Sequence, residues 1–335
     1  MPVYNGAEHV REAMDSVLRQ TFDDFEFLII DDASSDATPE ILQQCGDPRI
    51  RVIRNKERLR LANALNLGLD EARGELVARM DADDRCQPRR LEKQVLHLEQ
   101  NPSLGVCGSW IRKFGAENFV DNNYPVGASR VKAFALFNTP FAHPSVMVRR
   151  SLLAKHGLRF DVSYYPTEDY ELWSRALECF DGDNVPEVLL DYRVHGKSMT
   201  GADWNNMDQQ AARINGTLLN RLGMNTDEAT TRFHRDLGMS RIPASKEAVS
   251  RAESWLLSLI RANEQRLVYD DVSLRVVIGD FWFRNCMNAS SVGTWLIENF
   301  YRSELTRLCG VTARRKGLLF LSVCRRGFIR TRSVK

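Results

Sequence analysis

Between Val10 and Ile111 the chain alternates short apolar runs with segments whose apolar residues recur at helical spacing, and this limits its fold more than any other feature. Phe25–Ile30, Ile50–Ile53, Leu76–Met80 and Val106–Ile111 are too short for helices and read as buried strands. Val10, Ala13, Met14, Val17 and Leu18 line one helix face. Thr38-Pro39-Glu40 opens a second helix, with Thr38 as N-cap and Pro39 at the first helical position. Leu61–Ala72 is helical by period, with Gly74 to end it, and Pro88–Glu99 is a further helix. Strands and helices in this order predict an α/β fold: a mostly parallel sheet flanked by helices on both faces. Pro2-Val3-Tyr4-Asn5 reads as the end of a strand, because a buried parallel strand normally shows a longer apolar run. The expectation is that Met1 is an internal methionine of a longer natural chain, or that the sheet edge is short.

The pattern changes near residue 200. From about Asn205 the apolar clusters Leu218, Leu219 and Leu222, Trp255–Ile260, Val276–Ile278 and Trp295–Phe300 carry helical spacing and little β signal, which predicts four to six helices. The organisation expected is therefore an α/β domain over 1–204 followed by a helical C-terminal region over 205–335. A length of 335 residues fits either one large or two smaller domains. A formal net charge of +2 argues against a nucleic-acid partner for the chain as a whole. Seven cysteines contain no CxxC pair, which excludes zinc-ribbon and thioredoxin-type readings and suggests reduced thiols in a cytoplasmic protein. The run Leu318–Val323, interrupted by Ser322, is far shorter than the ~20 residues of a membrane span. Charged residues at Glu8, Arg11 and Glu12 leave no room for a secretory signal.

Ligands of open α/β sheets bind beyond the carboxyl ends of the strands. Three acidic groups fall at such places. Asp31-Asp32 follows Phe25–Ile30, and Asp81-Ala82-Asp83-Asp84 follows Leu76–Met80. Glu168-Asp169 opens a helix containing Tyr170, Leu172 and Trp173. Clustered carboxylates repel unless a hard cation joins them, and Mg²⁺ or Mn²⁺ prefers carboxylate and phosphate oxygens. In an extended segment Asp81 and Asp83 point the same way. Glu168 and Asp169 also suit a helix N-terminus, a role that does not exclude catalysis. Gly196-Lys197-Ser198 resembles the end of a phosphate loop, but Asp191 stands where that loop requires glycine.

Taken together, these residues resemble the family 2 inverting glycosyltransferases of GT-A fold, of the bacterial surface-polysaccharide type. The resemblance runs through Pro2–Gly6, Ile30–Asp36, Met80–Asp84, His143-Pro144-Ser145-Val146, Glu168–Trp173 and Tyr192-Arg193-Val194-His195, and covers about 200 residues. It implies that Pro2, Val3 and Tyr4 line the nucleotide base, and that Asp32, with Asp31 beside it, hydrogen-bonds that base. It implies that Asp81 lies near the ribose and metal, and that Ala82 beside it belongs to the nucleotide-sugar site. Asp83 would be the principal ligand of Mn²⁺ or Mg²⁺, with His195 as a further metal or diphosphate contact. Asp169 would be the general base, Glu168 its neighbour, and His143 and Trp173 would lie toward the acceptor.

The implied reaction is a single displacement from a nucleoside-diphosphate sugar, UDP-linked by first expectation, to a hydroxyl of a glycan or lipid-linked glycan. No Gln-x-x-Arg-Trp motif follows the base, which favours one sugar per encounter. Arg60 replaces a glycine common in the family. Two other classes compete: a metal-dependent nucleotidyltransferase, which would want a glycine-rich phosphate loop near Pro2–Ala7, and a non-catalytic nucleotide-sugar-binding scaffold, which would have lost its base or metal ligands. From Leu305 onward the chain has nine Lys/Arg and no Asp or Glu, with Leu318–Leu321 and Phe328 among them. Contact of this tail with an anionic membrane surface, at the inner face of the cell membrane, and a solvated basic tail are both open readings.

Overall fold

A computed structural model describes residues 1–196 and 204–332, with side chains through Arg325. Lys197, Ser198 and the side chain of Phe328 lie outside the described residues. Two units divide the chain: residues 1–131 with 139–210, and residues 132–138 with those from 211 onward.

In the first unit, β1 (Pro2–Val3), β2 (Phe27–Asp31) and β3 (Ile50–Arg54) form a parallel sheet. Helix α1 (Val10–Leu18) buries Val10, Ala13, Met14 and Val17, the stripe its spacing predicts. These residues pack with Val3, Phe27, Ile29, Leu42 and Met80 in one cluster. Met14 and Ile29 are fully buried, each contributing about 1.5–3 kcal/mol relative to exposure. That packing fixes where β2 ends, and so where Asp31 and Asp32 stand.

Two helix boundaries differ from expectation. Helix α2 (Thr38–Gln43) begins at Thr38 rather than after it; Ala37 stands at the N-cap, and Asp36 before it meets the first helical N–H. One Asp36 oxygen accepts from the Thr38 N–H at 3.0 Å, and the other accepts from the Ala7 N–H at 3.1 Å. A carboxylate can thus serve the helix start and tie it to the loop after β1 at once. Helix α3 (Arg60–Glu71) ends because Ala72 turns extended, not on a left-handed Gly74.

The remaining strands, β4 (Leu76–Ala78), β5 (Arg85–Cys86), β6 (Leu104–Gly115), β7 (Phe119–Asp121), β8 (Met147–Arg149) and β9 (Asp181–Val194), form a second sheet. Its longest pairing, β6 with β9, is parallel as expected, and the others are antiparallel. Strand β9 is not evident in the sequence, because Pro186 and acidic residues interrupt its apolar pattern. The register shows how they are accommodated: Ser109 pairs with Val185 and Trp110 with Val188, so Pro186 and Glu187 bulge out. Helices α4 (Arg90–Gln100), α5 (Ala128–Ala135), α6 (Arg150–Lys155) and α7 (Glu168–Ala176) complete the elements named here. At the far end of β6, Gly115 has φ +100°, and an added Cβ would lie 2.6 Å from the Val194 carbonyl oxygen. Only glycine fits that approach.

From Trp204 to Arg332 the chain is helical, with seven α-helices among the described residues. Asp227, Ser245 and Asp270 cap three of them with side-chain oxygens. His234 is fully buried, and burial pushes its pKa down to about 4. The neutral ring accepts from Trp255 Nε1 at 3.0 Å and donates to the Leu136 carbonyl at 2.9 Å. In the last helix, α14 (Ala313–Arg332), Leu319 and Val323 are buried while Leu318, Phe320 and Leu321 are exposed. No described helix is long and apolar enough to cross a membrane. All seven cysteines are unpaired.

Candidate active site

The acidic loop after β4 brings three carboxylates together. Asp81, Asp83 and Asp84 each place an oxygen within 4.8 Å of the others. Arg79 is buried and donates to Asp81 at 2.6 Å. Asp84 is buried too; one oxygen accepts from the Arg193 N–H at 2.8 Å, and the other has no hydrogen-bond partner. Burial raises the Asp81 carboxyl, with Arg79 opposing and Asp83 adding to the effect. Burial and the neighbouring Asp81 and Asp83 carry Asp84 well above the carboxylate range. From β9 across the loop, His195 Nε2 lies 2.9 Å from Asp83 Oδ2. Converging oxygen donors, an unsatisfied buried carboxylate oxygen and an imidazole at the rim fit a hard divalent cation.

Asp31 and Asp32 serve the architecture more than the sequence suggests. Asp31 accepts from the Ser34 N–H at 3.0 Å and lies 3.4 Å from Arg54 Nε. Asp32 accepts from Asn55 Nδ2 at 2.8 Å, the Leu59 N–H at 2.7 Å and the Arg60 N–H at 2.9 Å. It thereby holds the turn into α3, where Arg60 has φ +66°. A side chain at the position where glycine is common therefore sits in a left-handed conformation that Asp32 secures. Pro2 and Val3 pair with β2, and the Val3 side chain is in the core, which leaves Tyr4 as the exposed ring of the three. The Arg58 guanidinium covers that ring at 3.8 Å.

Glu168 and Asp169 occupy the first turn of α7. Glu168 is buried with Oε2 unpartnered, and burial, with Asp169 beside it, pushes its carboxyl up to about 7. Burial also raises Asp169, against the Tyr170 N–H and Arg79, while Asp81 adds to the rise. Arg79 and Asp81 thus act on this pair electrostatically, which links the α7 carboxylates to the acidic loop.

His143 and Trp173 do not form an open acceptor face. Trp173 is a core residue, edge-on to Phe141 and Phe160, and its Nε1 is buried without a partner. Both His143 nitrogens are likewise buried and unpartnered, and burial holds the ring well below its ordinary pKa, hence neutral. Both residues line a cavity of about 660 Å³ whose wall also includes Arg79, Met80 and Phe160. Ala82 lies half-buried in the acidic turn.

Arg79, Asn55 and Arg193 are the site residues that sequence reasoning missed. Arg79 had a visible signal, a cation inside the apolar run Leu76–Met80. Arg193 lies in the Tyr192–His195 motif but its partners are in distant segments, and Asn55 had no local signal.

A family model described as glycosyl transferase family 2 matches residues 1–157. An uncharacterized glycosyltransferase of Haemophilus influenzae is 31% identical over 222 residues, 63% of this chain and 68% of that protein. The O-antigen biosynthesis glycosyltransferase WbnJ of Escherichia coli is 35% identical over 208 residues, 59% of this chain and 79% of that protein. Among solved structures, S. aureus TarS 1–349 in complex with UDP-GlcNAc superposes with TM-score 0.55 at 15% identity, covering 92% of this chain and 88% of that one. At that identity the likeness speaks for the fold.

Proposed function

The chain belongs to glycosyl transferase family 2 and has the GT-A fold, and on that premise we propose that it moves a sugar from a nucleoside diphosphate to an acceptor hydroxyl with inversion at the anomeric carbon. The observation that carries this reading is the convergence of Asp81, Asp83 and Asp84 oxygens with His195 at 2.9 Å from Asp83, in a unit that also places the Glu168–Asp169 pair at the head of α7.

Asp169 would take the proton from the attacking hydroxyl. Its raised carboxyl suits a base, since proton affinity above that of an ordinary carboxylate increases the driving force for abstraction. Glu168, behind it, would keep a second proton-binding group close to neutrality. Asp83, with Asp81 and His195, would hold Mn²⁺ or Mg²⁺. Such a cation, when bound, offsets the charge that develops on the leaving diphosphate. Tyr4 would meet the base once Arg58 swings from its face, and Asp32 would orient the surrounding loop. In this proposal the transferase chemistry belongs to residues 1–204.

For the donor, a UDP-sugar is the first candidate, as in the TarS complex. For the acceptor, the O-antigen role in the WbnJ name favours a glycan or lipid-linked glycan. The exposed Leu318, Phe320 and Leu321, together with Arg314 and Arg325 on α14, would rest on an anionic bilayer at its cytoplasmic face.

The test is release of nucleoside diphosphate from UDP-, GDP- and dTDP-sugars, with Mn²⁺ or EDTA, in the presence of membrane extract. Metal-dependent release from one donor, lost in Asp169→Asn while donor binding persists, is expected. Release that Asp169→Asn leaves unchanged would sink the assignment of the base.

A further inference from the structure

Four side chains from four elements meet behind the acidic loop. Arg193, near the end of β9, sends its Nε–H to the Asp83 carbonyl oxygen at 2.7 Å and its backbone N–H to Asp84. The opposite edge of the same guanidinium donates to Glu12 on α1. Arg85 on β5 reaches the other Glu12 oxygen at 3.1 Å. Both cations lie over the ring of Phe114 on β6, Arg85 at 4.0 Å and Arg193 at 4.4 Å from its centroid.

A guanidinium is a rigid plane with donors in fixed directions. The contact with Phe114 restrains the guanidinium from one side, and the bond to Glu12 restrains its far edge. With both in place, Nε points at the backbone of the acidic loop. Glu12 is half-exposed, so its pair with Arg193 alone would be weakly held in water. The Phe114 ring and the second cation on Glu12 restrict both partners, as an isolated surface pair would not. Arg193 is itself only 14% exposed.

We propose that Glu12 and Phe114 are positioning residues which, through Arg193, hold Asp83 and Asp84 in the arrangement that receives the divalent cation and donor diphosphate. Neither touches substrate. The metal part of this statement rests on the reading of the acidic loop given above, whereas the positional part rests on the contacts alone.

The experiment compares Glu12→Gln, Phe114→Leu and Phe114→Tyr with the unaltered full chain by three readouts: amide hydrogen exchange across residues 81–86, Mn²⁺ binding by electron paramagnetic resonance, and thermal midpoint. Outer-sphere partners of metal ligands commonly cost 10–100-fold in affinity, and groups one contact further out should cost roughly 3–10-fold. Glu12→Gln and Phe114→Leu should therefore speed exchange in 81–86 and weaken Mn²⁺ by about that factor, with the midpoint little changed. Phe114→Tyr retains the ring and should behave as the unaltered protein. The proposal is overturned if exchange in 81–86 is unchanged in Glu12→Gln and Phe114→Leu, or if it rises only in step with a fall in midpoint across the whole unit. A parent protein that binds no Mn²⁺ would refute the metal reading instead, and the exchange result would still decide the positional claim.

Discussion

Glu168 should cost the protein stability at neutral pH, and Glu168→Gln should recover it. The side chain is buried, and its carboxyl is pushed from 4.5 to about 7, first by burial and then by Asp169. The folded state therefore holds its proton more tightly than the unfolded chain does. Its contribution is most favourable below the unfolded pKa and is lost as pH rises through the folded one. A displacement of that size corresponds to roughly 3 kcal/mol at 1.36 kcal/mol per pKa unit. Glutamine keeps the shape and removes the charge. Urea unfolding in EDTA, followed by tryptophan fluorescence, should show Glu168→Gln and the parent nearly equal in stability near pH 4, where Glu168 is mostly protonated in both states. By pH 8 the variant should lead by about 3 kcal/mol, or some 6–12 °C in melting midpoint for a unit of this size. Equal stability at pH 8, or a gap that does not vary with pH, would refute the claim that an uncompensated buried carboxylate sits at the head of α7.

Four other outcomes follow from named contacts. Asp32→Ala leaves the donors of Asn55, Leu59 and Arg60 without their acceptor and should cost about 2–4 kcal/mol in urea unfolding, discounted because the turn is partly wet; a loss below about 0.5 kcal/mol would contradict that role. Arg60→Gly should stabilise by about 1 kcal/mol, because φ +66° costs a side chain what glycine does not pay, and a destabilised variant would show that the arginine side chain outweighs the strain. In transfer assays, kcat of the parent should rise through an acid limb lying above the ordinary aspartate range, since burial raises Asp169; Asp169→Asn should lower turnover by about 10²–10⁴-fold with donor Kd nearly unchanged. Leu321→Glu on α14 should weaken sedimentation with phosphatidylserine vesicles, and identical sedimentation would remove the membrane contact proposed for that helix.

Much of the site was legible because its residues follow local rules. Apolar runs end where acids begin, so Asp31, Asp81 and Asp83 announce themselves as strand-end groups, and Glu168-Asp169 announces a helix start. The same locality misjudged partners. Asp32 reads as a strand-end acid turned to the nucleotide base, yet three donors from the Asn55–Arg60 stretch occupy it. Trp173 sits in a polar-looking motif beside Asp169, yet helix geometry turns it inward against Phe141 and Phe160. Strand β9 escaped notice because a bulge, which only its pairing with β6 reveals, absorbs Pro186.

By itself the order of residues determined an α/β unit with acidic strand ends and a helical unit after it, because periods of 2 and 3.6 are set within a few neighbouring residues. Arg79 reaches Asp81 from two residues away, but the tertiary structure alone decided which distant cations reach those acids. Arg193 is 110 residues from Asp83 and 181 from Glu12, and they meet only because β9 lies beside β5 and β6 while α1 packs over their ends. Sheet order brings such groups together, and no spacing along the chain encodes it.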